Sequence, residues 1–230
     1  RGYGVHSAIP SSHALRLCPQ LVFIKPNFEL YRSVSTQIHE IFKHYTETIE
    51  PLSLDEAYLD VSNSNRCQGS ATLMADEIRQ RVSNQVKVTV SAGVAPNKFL
   101  AKVASDWNKP DGITVIKPAE VADFVKSLPV NKINGVGKVT AAKMQQLGIT
   151  NCEDLQKLDI VALSKHFGVW GAKLFDLARG IDNRPVSTNR IRKSLSTEHT
   201  YDQDLADLPD IMAKCESIFK ELQLRFQKID

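Results

Sequence analysis

The run Pro51-Leu-Ser-Leu-Asp-Glu-Ala-Tyr-Leu-Asp-Val61 constrains this chain more than any other stretch. It sets two adjacent carboxylates, Asp55 and Glu56, inside an otherwise apolar, strand-forming sequence. Leu52, Leu54, Tyr58, Leu59 and Val61 favour a buried sheet, and two like charges there are costly unless something neutralises them. A divalent cation does so, because hard cations take carboxylate oxygens. Neighbouring side chains of a regular strand point to opposite faces, so the pair shares a site only if the chain bends there. The pattern predicts a hairpin with strands over 49–54 and 57–61 and the pair at its tip, against the usual turn chemistry, since the turn has no Gly or Pro. A polar hairpin tip facing water is the other reading.

The chain has 230 residues, 42% of them hydrophobic, enough for one large domain or two small ones with real cores and too apolar for a disordered chain. No apolar run reaches membrane-spanning length, so no membrane contact and a cytoplasmic location are expected. The start, Arg1-Gly-Tyr-Gly-Val, has no signal-peptide character and no initiator Met, and reads as the interior of a longer protein. The four cysteines, Cys18, Cys67, Cys152 and Cys215, form no CxxC pair and read as reduced thiols rather than a zinc site or disulfide frame. Net charge is only +3, but residues 196–230 carry eight acids against four bases. The preceding segment 181–193 holds Arg184, Arg190, Arg192 and Lys193 against Asp182 alone, which suggests a polyanion such as DNA, although charge alone favours a solvated linker.

The periodicities predict helices over 28–46, from Ser70 through Met74, Ile78 and Val82, and over 97–107, with Lys98 and Lys102 on the solvent face of the last. The β-rich runs 86–95 and 113–116 predict strands. Helices crossing between strands imply an α+β layer with a mostly antiparallel sheet. From about residue 118 the pattern becomes all-helical, with helices at 139–147, 153–158, 160–167 and 170–179, stopped by Gly148 and Gly180. A last amphipathic helix is predicted over 211–229. Gly135-Val-Gly137 between two apolar helical segments is a helix-hairpin-helix signature: glycines let backbone approach a phosphate, and the following helix N-terminus offers it free amides. A plain interhelical turn is the alternative.

Ser53-Leu-Asp-Glu-Ala-Tyr-Leu-Asp60 resembles the palm motif of the Y-family DNA polymerases. The resemblance continues through Gly93-Val-Ala-Pro-Asn-Lys-Phe-Leu-Ala-Lys102, Asn108-Lys-Pro-Asp-Gly112, Ile133-Asn-Gly-Val-Gly-Lys138 and Arg192-Lys-Ser194, in the family's order, and covers essentially the whole chain. It implies a ferredoxin-like polymerase palm with its first strand missing, a small all-α helix-hairpin-helix thumb and the start of a little-finger domain. The implied boundaries are 1–26 for the end of the fingers, 27–117 palm, 118–188 thumb, 189–193 tether and 194–230 little finger.

The resemblance further implies error-prone, lesion-bypass DNA synthesis with two Mg²⁺ ions, on primer-template DNA and deoxynucleoside triphosphates. Asp55 and Glu56 are the implied metal ligands, with Glu56 also aiding deprotonation of the primer hydroxyl. Arg1 and Lys109 are the implied nucleotide-phosphate contacts, and Gly135, Gly137, Lys138, Arg190, Arg192 and Lys193 the implied DNA-backbone contacts. The family's third carboxylate and its sliding-clamp peptide are expected outside this sequence, so a monomeric chain inactive by itself is expected. Asp60 is read as structural. A non-catalytic module binding DNA backbone through the helix-hairpin-helix and basic tether is the alternative from another class. A nucleotide cyclase is disfavoured because no Gly-Gly-Asp-Glu-Phe run is present.

Overall fold

A computed structural model describes residues 2–189, 192–201 and 203–228. The chain divides into two compact units, Arg1–Val186 and Ser187–Asp230. In the first unit, the helix α1 (Ser11–Leu17) precedes α2 (Phe28–Lys43), which starts where the Asn27 side chain accepts the Leu30 amide at 3.1 Å. A hairpin of β1 (Ile49–Pro51) and β2 (Ala57–Leu59) follows, then α3 (Ala71–Val86), opened by Ser70 accepting the Leu73 amide. Met74, Ile78 and Val82 of α3 bury against Ile41 and Tyr45, forming the smaller of two cores. Each fully buried aliphatic side chain contributes roughly 1.5–3 kcal/mol.

The strand β3 (Ala92–Val94) leads into α4 (Lys98–Trp107), and β4 (Ile113–Val115) pairs with β3 in parallel, Gly93 facing Thr114. Gly93 is where α4 lies closest to the sheet: a Cβ there would sit 2.1 Å from the Ala101 carbonyl oxygen. The short helices α5 (Val121–Lys126), α6 (Lys138–Gln146), α7 (Cys152–Gln156), α8 (Ile160–Phe167) and α9 (Trp170–Leu177) complete the unit. Phe99, Leu100, Val103 and Ala104 of α4 belong to the same core as Val125, Leu128, Met144, Leu155, Leu163 and Leu174, so α4 is packed into the helical half of the unit as well as onto β3.

Several expectations need correction. The described strands do not form one mostly antiparallel sheet but two separate pairs, β1–β2 antiparallel and β3–β4 parallel. The run 86–95 is strand only at 92–94. Val86 closes α3, Lys87 takes a left-handed conformation, and 87–91 find no facing strand among the described residues. The hairpin strands shorten to 49–51 and 57–59, which leaves Leu52 and Leu54 exposed in the turn rather than buried in a sheet.

In the second unit, α10 (Leu208–Phe226) begins earlier than the apolar stripe suggests, because Asp207 caps it by accepting the Asp210 amide at 2.8 Å and Pro209 occupies its first turn. The chain after residue 194 forms no strand among the described residues. It is held to α10 by Arg225 donating to the Ser196 carbonyl and by His199 Nε2 lying 2.6 Å from Glu221 Oε2. Phe219, Leu224 and Phe226 of α10 are exposed.

The start of α4 is fixed from far along the chain. Asn97 accepts the Leu100 amide at 3.0 Å, and the Asp182 carboxylate accepts the Phe99 amide at 3.1 Å across a separation of 83 residues. The Asp182 side chain is wholly buried and also accepts from Arg184 Nε at 2.7 Å and from Lys173 Nζ at 3.2 Å. Burial alone would push this carboxyl up, but the hydrogen bonds and charges of Arg184 and Lys173 outweigh it and hold the pKa at about 2. The folded value lies below the unfolded one, so the carboxylate stabilises the fold above pH ~4, by about 2 kcal/mol, and that contribution is lost as pH falls toward the folded value. Asp182→Asn is therefore expected to cost about 2–3 kcal/mol in urea unfolding at pH 7, with the gap from the parent closing toward pH 2. A gap equally wide at both pH values would mean that the charge is not what anchors α4.

Candidate active site and nucleic-acid interface

The turn 52–56 closes because the Glu56 carbonyl accepts two amides, Leu52 at 2.8 Å and Ser53 at 3.3 Å, which explains how it forms without Gly or Pro. Asp55 and Glu56 both lie in this turn. Asp55 is exposed and Glu56 is half-buried, so the pair is not enclosed in a sheet as the apolar flanks suggest. Ser53 Oγ donates to Asp55 Oδ1 at 2.6 Å, and Lys102 Nζ donates to Glu56 Oε1 at 2.6 Å. Asp55 Oδ2 and Glu56 Oε2 carry no hydrogen bond among the described residues.

Lys98 and Lys102 do not line a solvent face. Lys98 is buried, 2.5 Å from Glu50 Oε2 and 3.2 Å from the Pro185 carbonyl oxygen, with its ammonium 5.1 Å from the centre of the Tyr58 ring. Lys102 lies one turn further along α4, where it meets Glu56 and, at 3.6 Å, Asp106. Asp106 is in turn 2.5 Å from Lys109, so Glu56, Lys102, Asp106 and Lys109 form one run of alternating charge. Burial pulls the Lys102 ammonium down, but its hydrogen bond to Glu56 and the charge of Asp106 outweigh that and set its pKa above the usual lysine value. Burial likewise pushes Asp106 up, while the hydrogen bond from Lys109 and the charge of Lys102 bring it below the usual aspartate range. The side chains at 98 and 102 face inward because their carboxylate partners belong to the β1–β2 hairpin, far away in sequence; periodicity along α4 carries no sign of them. Their four-residue spacing put them on one helix face and was the only available signal.

Asp60 accepts the Ser62 amide at 3.0 Å, with its pKa lowered mainly by that residue's hydrogen bonds, and serves the local turn. Among the described residues no group of three or more His, Cys, Asp or Glu stands ready to hold a metal ion. The residues present still suit a hard cation in part: two neighbouring carboxylates each keep one oxygen without a protein donor.

The Gly135-Val-Gly137 turn ends at α6, whose first residue is Lys138. Gly135 has φ +97°, and a Cβ there would lie 2.5 Å from the Trp170 ring. Gly137 differs: it sits at the N-cap with φ −80°, its Cβ position meets nothing within 4 Å, and no side chain caps the amides beyond it. Arg192 and Lys193 are exposed in the second unit. Arg1 and Arg190 lie outside the described residues.

Comparison with known proteins decides what this frame is. Residues 1–106 match the model of the impB/mucB/samB family, and residues 131–182 match that of the DNA polymerase-iota thumb domain. The whole chain is 56% identical to DNA polymerase IV of Ectopseudomonas mendocina, of which it spans 65%. The chain belongs to the Y family of DNA polymerases. Among solved structures, that of DinB from Sulfolobus solfataricus superposes with a TM-score of 0.75 at 34% identity, over 81% of this chain and 55% of that one. An insertion ternary complex of Dbh DNA polymerase does so at 0.74 and 34%, over the same shares. The α+β architecture with a helix-hairpin-helix thumb is thus the Y-family one. No helix among the described residues is long and apolar enough to cross a membrane.

The two thumb glycines separate experimentally. Gly135→Ala meets both the left-handed backbone and Trp170, and is expected to cost about 2 kcal/mol or more. Gly137→Ala is expected to stay within about 0.5 kcal/mol of the parent in chemical unfolding, because nothing in the chain occupies its Cβ position. Equal losses at the two positions would show that Gly137 is also needed for packing.

Proposed function

We propose that this chain carries the palm and thumb of a template-directed DNA polymerase of the lesion-bypass type, with the domain limits that the resemblance implies: fingers to residue 26, palm 27–117, thumb 118–188, tether 189–193 and little finger from 194. The carrying observation is that Glu56, which follows Asp55 in the β1–β2 turn, is linked through Lys102 and Asp106 of α4 to the ammonium of Lys109 just beyond that helix. Nucleotidyl transfer needs groups of these kinds: carboxylates for metal and primer terminus, and a cation for the phosphates that leave.

In this reading Asp55 and Glu56 ligate Mg²⁺, together with a third carboxylate that the resemblance places outside this sequence. When bound there, the metal would supply stabilisation of the charge that develops on the attacking and leaving oxygens. Glu56 lies at the primer end and helps to take the hydroxyl proton. Lys109 holds the β- and γ-phosphates as a point charge, with Arg1 beside them. Gly137, with Gly135 shaping the turn, lets the duplex backbone approach the free amides of α6, and Lys138 adds charge. Arg190, Arg192 and Lys193 grip further phosphates. The ternary complex among the structural relatives supports primer-template and nucleotide as partners. A monomeric, cytoplasmic enzyme that meets a sliding clamp through a segment outside this sequence completes the proposal, and the 230-residue chain by itself is expected to be inactive.

The test uses the full-length protein. Asp55→Asn is expected to lower magnesium-dependent primer extension about a thousandfold or more, the scale of a lost metal ligand, with duplex affinity within about threefold of the parent. Near-normal turnover would remove Asp55 from the metal site. In the same assays Lys109→Ala should raise the nucleotide KM about tenfold and leave duplex affinity unchanged. Unaltered KM and kcat would return Lys109 to a purely surface role.

A further inference from the structure

Lys102 is an unusual residue for a helix surface. Its side chain is only 16% exposed, yet its ammonium contacts two carboxylates, one of them 46 residues away on the hairpin turn. An exposed pair within one helix contributes little to stability, but the contact with Glu56 joins two elements and is largely shielded from water. Glu56 needs such a contact. It sits at the end of a turn whose backbone is held by two amides on its own carbonyl, and a glutamate there has several rotamers to choose from.

We propose that Lys102, steadied by Asp106, is the positioning residue for Glu56. By occupying Oε1 it fixes the carboxylate and leaves Oε2 as the oxygen presented to the reaction. Ligating carboxylates are commonly held by a hydrogen bond to the oxygen the metal does not use, and that support decides how well they are aimed. Asp106 extends the device, since its other oxygen holds Lys109. One face of α4 thereby sets both the carboxylate at the primer end and the lysine at the phosphate end. Lys98 does a related job one turn earlier, where it fixes Glu50 at the base of the same hairpin.

This inference rests on the polymerase reading, and its test keeps the two apart. Lys102→Met, Lys102→Arg and Lys102→Gln are made in the full-length protein, with the parent and Asp55→Asn measured alongside. In single-turnover incorporation at saturating nucleotide and Mg²⁺, Lys102→Met is expected to lose about thirtyfold in rate, the scale of a misaimed catalytic group. The half-saturating nucleotide concentration and the duplex affinity should stay within about twofold, because neither depends on where Glu56 points. Lys102→Arg should recover to within about threefold of the parent, since it keeps a charged donor at that place. Lys102→Gln keeps a neutral donor on a side chain one atom shorter and decides the case in which the methionine variant fails to fold; a loss of about tenfold is expected.

A Lys102→Met or Lys102→Gln rate within twofold of the parent would overturn the proposal. So would a loss spread equally over rate, nucleotide and duplex, or an arginine variant as slow as the methionine one. An inactive parent, or an Asp55→Asn variant as fast as the parent, defeats the polymerase reading itself. An inactive Asp55→Asn beside a normal Lys102→Met defeats only the positioning role.

Discussion

The arrangement depends on one buried carboxylate. Asp182 accepts the second free amide of α4 while Asn97 accepts the third, so the helix start is tied to the end of the first unit before any side chain of the site is considered. A helix N-terminus leaves donors without intrahelical partners, and burying them unsatisfied is costly. Here the capping carboxylate is neutralised by Arg184 and Lys173, which makes its own burial tolerable. With its start fixed, α4 turns Phe99, Leu100 and Val103 into the main core and Lys98 and Lys102 toward the hairpin. The orientation of the site follows from the packing of the opposite face.

Charge inside this frame is distributed with care for solvation. Lys98 is among the few buried charged residues, and it is matched on several sides by Glu50, the Pro185 carbonyl and the Tyr58 ring. Removing one partner of such a group typically costs 3–5 kcal/mol, about as much as a large core truncation. Along α4 and just past its end the burial lessens, from Lys98 through Lys102 to the half-exposed Lys109. The cluster therefore runs from a structural end, where ion pairs are shielded, to an open end at Lys109.

Much of this was legible in the sequence where the signal is local. Ser70 announced a helix start, Gly148 and Gly180 announced stops, and the helix 160–167 falls where its apolar pattern put it. Strands were overread. The β-branched run 86–95 looks like a strand by composition, but a strand exists only against a partner, and here the partner is three residues of β4. Leu52 and Leu54 misled in the same way, since the turn takes them out of the ladder. Asp55, Glu56 and Lys109 were marked by motif, whereas Lys102, Asp106 and Asp182 were not marked as site or anchor. Lys102 and Asp182 take their roles from contacts across 46 and 83 residues, which neither helical nor strand periodicity encodes, and Asp106 gains its role only through Lys102.

The claim that most needs a direct measurement is that the Asp55–Glu56 turn is a metal site. Crystals of the full-length protein with primer-template DNA, a non-hydrolysable nucleotide and Mn²⁺ would give an anomalous map that locates the ions without assumptions about the chain. The account predicts manganese peaks within ligand distance, roughly 2.0–2.2 Å, of the Asp55 and Glu56 carboxylates, with Lys102 still on the other Glu56 oxygen. Peaks that avoid both carboxylates, in a complex where primer and nucleotide are aligned, would contradict it.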